Sequence, residues 1–260
     1  MARLYSLFSS SRGNATFLGT NQGGILIDAG VSYRRLCAAM SRCGLSMDAV
    51  QAVFVTHDHS DHISGLKMLT AKHAIPIYAQ TKTLAHLQSM EAVAPNAELR
   101  EINGEICFAD MCISAFDTPH DTVQSCGYRV VMADGRICAV CTDLGEVTPT
   151  VDAALRGCDL VLLESNYDEK MLKTGAYPPY LKARIQSKVG HLSNANCAAQ
   201  AKKLIEQGTT RLLLGHLSQE NNRPELAEQS VVSALTECVR GQDYLLQVAK
   251  VETTGEMSVF

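Results

Sequence analysis

The feature that most constrains this chain is an apolar, β-branched run that stops at a dense group of metal-ligand side chains. The apolar run is Ala52–Val55, and the next seven residues, Thr56–His62, contain three histidines and two aspartates. This pattern predicts a buried strand that delivers ligands at its C-terminal end. Imidazole and carboxylate suit zinc, iron and manganese, and so many ligands within one turn indicate two ions rather than one structural ion. The alternative is a solvated polar loop rich in histidine.

Six of the eight histidines stand in contexts typical of a functional site. They are His57, His59, His62, His120, His191 and His216. His73 and His86 lie in plain helical stretches, where a surface or half-buried position is expected.

Length and composition predict one domain over residues 1–260 with a sizeable core, since 46% of the residues are hydrophobic. No segment approaches the roughly 20 apolar residues that span a bilayer, and the first residues lack a signal-peptide pattern. We therefore expect a cytoplasmic protein without a membrane partner. The net charge of −4 argues against nonspecific coating of nucleic acid but is compatible with a local basic track.

The ten cysteines have mostly apolar neighbours, which predicts small buried hydrophobes in a reducing compartment. This expectation covers Cys37, Cys107, Cys112, Cys158, Cys197 and Cys238. Cys138 and Cys141 form a C-x-x-C match, but they lie in an apolar strand without a second pair at zinc-ribbon spacing. Core cysteines are favoured there over a redox or zinc pair.

One segment is basic in a chain that is negative overall. Five basic residues stand against two acidic ones between Asp168 and Lys188. Lys182, Arg184 and Lys188 are candidates for contact with substrate phosphates. A solvated helix face is the alternative explanation.

The apolar periodicity predicts strands and helices along most of the chain. Predicted strands cover 3–8, 15–19, 25–27, 52–55, 105–108, 111–116, 127–132, 136–140, 160–163, 211–214 and a terminal region around 244–251. Predicted helices cover about 33–42, 65–72, 149–156, 194–207 and 223–239. Ala133–Gly135 is typical of a hairpin turn. Ser193 or Asn194 is expected to cap the helix that Gly208 ends. Two halves, each with strands before helices, predict two mixed sheets packed face to face with helices outside, a four-layer αββα sandwich of the α/β (α+β) class.

These motifs resemble the metallo-β-lactamase superfamily, whose central signature H-x-H-x-D-H matches residues 57–62 in full. Ile25–Gly30 is similar to the superfamily's early strand that ends in aspartate, and Thr142–Gly145 to its bridging-aspartate motif. Leu213–His216 is similar to the strand that delivers the last histidine. The resemblance covers most of the chain and implies the metallo-β-lactamase-like sandwich.

Within the superfamily the chain resembles YycJ (WalJ)-type proteins, small bacterial members described as 5′→3′ exonucleases on DNA. His120 resembles the third histidine motif of the related nucleases RNase Z and RNase J. Three stretches carry the likeness: Ser9–Thr16, Glu164–Tyr167 and Gly190–Asn194. The last is similar to the helix start of RNase Z whose histidine assists leaving-group protonation. The first departs from the family pattern SGSSGN, because Arg12 precedes the glycine.

The resemblance implies two divalent ions (zinc, manganese or iron) and seven side chains that hold them. By this likeness His57, His59 and His120 hold one ion, Asp61, His62 and His216 hold the other, and Asp143 bridges them. Open coordination positions would then accept a bridging hydroxide as nucleophile and a substrate oxygen. Asp61, Asp143 and His191 are the implied catalytic residues.

Residues around the ligands carry further expectations. Asp28 is expected to orient a ligand, with a strand-end turn as the alternative. His191 is expected to protonate the departing 3′ oxygen or contact a phosphate, with helix capping as the alternative. Ser10, Ser11 and Asn14 form a small-polar loop whose backbone donors suit a terminal phosphate, although an ordinary turn also explains it.

The predicted function is a metal-dependent phosphodiesterase that acts as a 5′→3′ exonuclease on DNA, with a 5′-phosphorylated end as its partner. The alternative within hydrolases is a small-molecule enzyme for a cyclic phosphodiester, thioester or lactone. A diiron oxygen- or nitric-oxide-reducing protein is disfavoured by His59, where such relatives usually carry glutamate. A metal-free binding scaffold is disfavoured because no ligand of the pattern is missing. The sequence leaves open the metal, the direction of digestion, the choice of DNA or RNA and the oligomeric state.

Overall fold

The computed structural model describes residues 2–108 and 110–260, which separate into two compact units. The first unit comprises the chain up to Ala115 together with Thr122–Cys126 and Lys250–Phe260. The second unit comprises Phe116–Asp121 and Gly127–Ala249. The single domain expected over residues 1–260 stays a prediction. Within the described residues, no helix combines the length and the apolar character needed to cross a membrane.

The secondary structure starts with strands and alternates with helices thereafter. The strands are β1 (Arg3–Ser10), β2 (Gly13–Thr20), β3 (Gly23–Ile27), β4 (Val50–Phe54), β5 (Ile77–Ala79), β6 (Leu99–Glu101), β7 (Glu105–Phe108), β8 (Met111–Asp117), β9 (Cys126–Met132), β10 (Ile137–Cys141), β11 (Leu160–Glu164), β12 (Arg211–Gly215), β13 (Leu245–Val248) and β14 (Ser258–Val259). The helices are α1 (Tyr33–Arg42), α2 (Ser60–Ile63), α3 (Leu66–Lys72), α4 (Thr81–Ser89), α5 (Pro149–Leu155), α6 (Glu169–Thr174), α7 (Pro179–Ile185), α8 (Asn194–Glu206) and α9 (Pro224–Ala234), with a 3₁₀ turn at Met47–Ala49.

The first unit contains a mixed sheet in the order β14-β1-β2-β3-β4-β5-β6. Strands β1 to β3 pair antiparallel, whereas β3 to β6 run parallel, so the carboxyl ends of β3 and β4 meet at one edge. Leu26 and Val53 on this sheet belong to one buried core with Leu36 of α1 and Leu66 of α3. Full burial of each such side chain stabilises the fold by about 1.5–3 kcal/mol, which fixes the register of the two central strands.

The second sheet has the order β13-β12-β11-β10-β9-β8-β7. Strands β10 to β13 run parallel and β9 pairs antiparallel with β10. In the second unit, Leu163 and Leu214 from this sheet share a buried core with Cys197 and Ala201 of α8. The carboxyl ends of β10, β11 and β12 again meet at one edge, which is where ligands bind in parallel α/β sheets.

The two mixed sheets with accompanying helices confirm the predicted fold class. Ser193 is the N-cap of α8, where its hydroxyl accepts a hydrogen bond from Asn196 N at 3.2 Å, and Gly208, with φ of 101°, follows the helix end. The predicted turn at Ala133–Gly135 joins β9 to β10. The helix expected over 223–239 is shorter than predicted, because α9 ends at Ala234.

The cysteine expectation is wrong at the β7–β8 hairpin. Cys107 and Cys112 face each other across the two strands and form a disulfide, with Cα atoms 4.0 Å apart. Strand β7 alternates so that Glu105 and Cys107 are exposed while Phe108 is half-buried, and apolar neighbours alone could not show which face Cys107 takes. Cys138 and Cys141 are buried free thiols, as expected for core residues.

Candidate metal centre

The first unit gathers the histidine run at the carboxyl end of β4. The ring centroid of His57 lies 4.7 Å from that of His59 and 4.0 Å from that of His62. The one-turn helix α2 carries Asp61 and His62, and their Oδ2 and Nε2 atoms lie 3.6 Å apart. The segment after β3 lies directly against the backbone of Asp61. Only a glycine fits at position 30, because a Cβ there would lie 1.6 Å from the backbone oxygen of Asp61.

Asp28 fixes the orientation of His62. Its Oδ2 lies 2.7 Å from His62 Nδ1, while its two oxygens also accept bonds from the backbone N and the hydroxyl of Thr56, both at 2.8 Å. A carboxylate can only accept, so Nδ1 of His62 carries the proton and Nε2 offers its lone pair. The backbone of Asp28 has φ of 61°, a conformation that non-glycine residues seldom take. These contacts support the expected orienting role.

The residues predicted to cradle a phosphate take three different positions around the β1–β2 turn. Asn14 is buried, with Nδ2 lying 3.2 Å from Asp61 Oδ2 and 3.0 Å from His62 Nε2. Ser10 is also buried and exchanges bonds with Asn14 through its backbone N and O. Ser11 is exposed at the turn. Substrate contact by these residues stays a prediction, and the structure adds that Asn14 contacts two ligand side chains.

The second unit gathers a carboxylate and histidine cluster at the carboxyl ends of β10, β11 and β12. Asp143 follows β10, Glu164 ends β11 and His216 follows β12. Ligand atoms of Asp143, Glu164, His191 and His216 all lie within 4.8 Å of one another. Asp143 and His216 themselves have strained backbones, with φ of 59° and 54°. The chain therefore turns sharply at the residue that carries each ligand-type side chain.

Glu164 holds two histidines with one buried carboxylate. Its Oε1 accepts bonds from Nδ1 of His191 at 2.7 Å and of His216 at 2.8 Å. Its Oε2 accepts bonds from the backbone N of Leu144 at 3.0 Å and of Leu192 at 3.2 Å. Burial alone would raise the pKa of Glu164, but the charge of His191 and the hydrogen bonds from both histidines lower it overall. Glu164 therefore stays ionised as an acceptor.

Nδ1 of His191 and Nδ1 of His120 each face an oxygen atom that accepts a hydrogen bond. Burial tends to lower the pKa of His191, but the charge of Glu164 and its hydrogen bond outweigh burial and raise the pKa above its ordinary value. Nδ1 of His191 also lies 3.8 Å from Asp143 Oδ1. Nδ1 of His120 lies 3.0 Å from the carbonyl oxygen of Gly190, and this side chain is buried. Helix capping falls to Ser193 rather than to His191.

The donor chemistry of both clusters fits divalent metal ions. Nδ1 of His62, His120 and His216 faces a carboxylate or carbonyl oxygen, which requires a proton on Nδ1 and leaves Nε2 as the ligand atom. Neutral imidazole nitrogen together with carboxylate oxygen is a donor set that zinc, manganese and iron accept. The residues present are therefore suited to such ions.

Comparison with known proteins places this geometry in a family. The family model of the beta-lactamase superfamily domain matches residues 24–217. The chain belongs to this superfamily. The exodeoxyribonuclease YycJ of Bacillus anthracis is 34% identical to it over 89% of this chain and 88% of that protein. The exodeoxyribonuclease WalJ of Streptococcus pneumoniae is 32% identical over 91% of this chain and 90% of that protein. The recognised resemblance is thus confirmed.

Solved structures of the superfamily confirm the predicted αββα metallo-β-lactamase-like fold. The metallo-β-lactamase fold protein YhfI of Bacillus subtilis superposes with a TM-score of 0.71 at 15% identity, covering 97% of this chain and 98% of that chain. A diphosphatase of the PhnP family superposes with a TM-score of 0.70 at 17% identity, covering 100% and 98%. Identities this low support the fold alone. With its curated relatives and its donor set, this member of the superfamily is a metal-dependent hydrolase.

The three basic residues predicted to contact substrate phosphates all have partners within this beta-lactamase superfamily chain. Lys182 Nζ donates to the carbonyl oxygens of Lys173 at 2.9 Å and Gly175 at 2.7 Å. Arg184 forms an ion pair with Asp121, and Lys188 Nζ lies 3.2 Å from Glu146 Oε2. Substrate contact by Lys182, Arg184 and Lys188 stays a prediction.

Sequence reasoning assigned no role to two residues that orient side chains at the site of this superfamily member. Glu164 directly follows the apolar run Leu160–Leu163, the same pattern that singled out Asp28, and this signal could have identified it. His86 of α4 contacts Asp58 within the histidine run through its Nδ1, and that contact had no local signal in the sequence.

Proposed function

We propose that this hydrolase is a phosphodiesterase that degrades DNA as a 5′→3′ exonuclease. The observation that carries the proposal is identity of 34% and 32%, over 89% and 91% of the chain, with two relatives named as exodeoxyribonucleases. The geometry of the second unit supports it, because a half-buried histidine stands beside a candidate metal ligand with its pKa raised. DNA, with a 5′-phosphorylated end, is the proposed partner, and the cytoplasm stays the predicted location.

The proposed centre holds two divalent ions (zinc, manganese or iron). The ligands are His57, His59 and His120 for one ion, Asp61, His62 and His216 for the other, and Asp143 for both. Two such ions supply a nucleophilic water at neutral pH and neutralise the charge of a phosphodiester. Asp61 and Asp143 contribute the negative charge that balances the ions.

His191 is the proposed proton donor to the departing 3′ oxygen. Its Nδ1 is bonded to Glu164, so only Nε2 can face a substrate. Because Glu164 raises the pKa of His191, a proton is available on this ring over a wider range of pH than on a free histidine. Ser10, Ser11, Asn14, Lys182, Arg184 and Lys188 are the proposed phosphate contacts.

The test starts from metal-depleted protein to which zinc, manganese or iron is returned. Substrates are linear duplex DNA with a 5′ phosphate or a 5′ hydroxyl, labelled at either end, beside closed circular DNA and RNA of the same sequence. We expect early release of the 5′ label from the phosphorylated end and no attack on circles. Bis-p-nitrophenyl phosphate and a lactone complete the set. Turnover of these esters with DNA left intact would replace the nuclease by a small-molecule hydrolase.

Two variants separate metal binding from chemistry. Asp143→Ala should lose both bound metal and DNA hydrolysis, because one carboxylate is assigned to both ions. His191→Ala should keep the metal content but lose about 10²–10⁴-fold in rate, the usual contribution of a general acid. Asp134→Ala, at the exposed β9–β10 turn, is the matched control. Full metal content and full hydrolysis in Asp143→Ala would contradict the two-ion assignment.

A further inference from the structure

One exposed aromatic side chain in the second unit has no role in the proposed metal centre. Tyr180 is 77% exposed, the highest value among the exposed large hydrophobic side chains of the described residues. It occupies the second position of α7, whose residues Pro179–Ile185 include no buried side chain. Pro178 and Pro179 directly precede it and restrict the local backbone. Core packing therefore does not explain an aromatic residue here.

Helix α7 is joined at its other end to the candidate site. Arg184 forms an ion pair with Asp121, the residue next to His120, and the carbonyl oxygen of Ile185 accepts a bond from the backbone N of His191 at 2.9 Å. Ile185 lies five positions after Tyr180, which is about 8 Å along a helix axis. That length corresponds to roughly two or three nucleotide steps of about 3.4 Å in one strand of a duplex.

The segment that contains Tyr180 is basic, with five basic residues against two acidic ones between Asp168 and Lys188, which is charge complementary to a phosphate backbone. Lys170 and Lys173 on α6 are exposed, and the basic run continues through Lys182 and Arg184 on α7. The ammonium group of Lys182 bonds two carbonyl oxygens at the end of α6, so it fixes the connection between the two helices. Proteins bind single strands with exposed aromatic rings in positively charged surroundings, and an exposed ring within a basic segment fits this arrangement.

We propose that Tyr180 is a stacking platform for a base of a single nucleic-acid strand whose phosphates lie along the cations of α6 and α7. This inference rests on the proposed nuclease function and identifies where the strand leading to the site is held. Stacking tolerates any sequence because every base has a π-face, which suits an enzyme that digests DNA regardless of sequence. Tyr180 is thus a residue that binds and positions substrate, and it takes no part in the chemical step.

Binding is measured first, by fluorescence anisotropy of a labelled single-stranded oligonucleotide with metal-depleted protein. Tyr180→Ala should raise the Kd about tenfold, within the range of about 5- to 100-fold expected for one stacked base. Tyr180→Phe should bind like the wild type, because the ring is retained. Val239→Ala removes a side chain that is 53% exposed in the same unit and should leave the Kd unchanged. With metal restored, Tyr180→Ala should raise KM for DNA and leave kcat within twofold.

Stacking itself is observed by fluorescence, because the chain contains no tryptophan. Tyr180→Trp introduces one tryptophan, which is excited selectively beside the seven remaining tyrosines, and we expect its emission to be quenched when the oligonucleotide binds. The control Val239→Trp should show no quenching. An unchanged emission of Tyr180→Trp, at concentrations where anisotropy reports binding, would overturn the stacking platform and leave the proposed nuclease intact. A wild-type protein that neither binds the oligonucleotide nor hydrolyses DNA would overturn both.

Discussion

Three strained residues show how the candidate site is built at the scale of single side chains. Asp28, Asp143 and His216 follow β3, β10 and β12, and each has a φ between 54° and 61°. Such a backbone costs about 1–3 kcal/mol for a residue with a Cβ. Aspartate and histidine tolerate it better than most residues do, which allows a sharp turn and a ligand-type side chain at the same position. Strain at strand ends is consistent with a functional role for these residues.

The first prediction concerns Asp28→Asn. Asparagine accepts the same backbone conformation, so the fold should remain, but the charge opposite His62 Nδ1 is lost. We expect metal affinity to fall about 10- to 100-fold, as is usual when the partner of a ligand histidine is removed. Competition titration with a chelator measures this. Asp48→Asn, an exposed aspartate of the same unit, is the control. Equal affinities in Asp28→Asn and the wild type would show that Asp28 is only a turn residue.

The second prediction concerns the pair formed by Glu164 and His191 in metal-depleted protein. Burial favours neutral His191 and Glu164 favours the charged ring, with Glu164 prevailing. Nuclear magnetic resonance of the ring nitrogens should therefore show His191 of the wild type titrating above 6.5, its ordinary pKa. In Glu164→Gln burial and the charge of His216 still lower the pKa of His191, and only the weaker attraction of Asp143 raises it, so the pKa should fall below that value. Glu146→Gln, which removes an exposed partner of Lys188, should not change it. A His191 pKa that is the same in Glu164→Gln would contradict this origin of the shift.

At the scale of elements, the sequence predicted what depends on local pattern. The strand 52–55, the cap at Ser193 and the turn at Ala133–Gly135 each follow from a few neighbouring residues, and the structure has all three. The helix expected to reach 239 ends at Ala234 instead. The one-turn helix α2 lies inside the histidine run, where the residues are metal-ligand types and show no apolar periodicity typical of a helix. The Cys107–Cys112 bond depends on strand pairing, which the local pattern did not specify.

The third prediction tests the cysteine assignment of the β7–β8 hairpin and the core strands. Protein denatured without reductant should show eight titratable thiols, whereas prior reduction should expose all ten cysteines. In the native protein Cys158 and Cys197 should not react near neutral pH, because burial raises their pKa values to about 11 and about 12. Thiol titration with a chromogenic disulfide measures each number. Ten thiols without reduction would mean that Cys107 and Cys112 are not joined.

At the scale of the whole molecule, the ligand set is spread along the chain from His57 to His216. The succession of apolar strands and helices predicted the αββα fold, whereas the seven proposed ligands were implied by the resemblance of the motifs to those of the superfamily. The contacts that orient the ligands were harder to predict. Glu164 bonds His191 and His216 across separations of 27 and 52 residues. The parallel pairing of β11 with β12 brings His216 to Glu164, whereas His191 lies in the segment before α8, where the backbone N of Leu192 also bonds Glu164.

The fourth prediction follows from that spread of ligands. An unfolded chain cannot keep ligands that are so far apart in sequence close together in space. The ions therefore bind the folded state and stabilise it by mass action. At about 1,000 times the Kd this contributes about 4 kcal/mol, and each kcal/mol shifts the Tm by about 2–4 °C for a chain of this size. Chelation should therefore lower the Tm by roughly 10 °C, measured by scanning calorimetry with and without metal.

The ligand variants decide whether the ions act as one centre. His57→Ala and His216→Ala should each reduce the metal-induced rise in Tm. The double variant should lose less than the sum of the two losses, because ligands of one centre are coupled. Asp134→Asn, at an exposed turn, should keep the full metal-induced rise in Tm, even if the substitution changes the Tm of the metal-depleted protein. Strictly additive losses would mean that His57 and His216 bind metal independently, and the assignment of seven ligands to one two-ion centre would then be wrong.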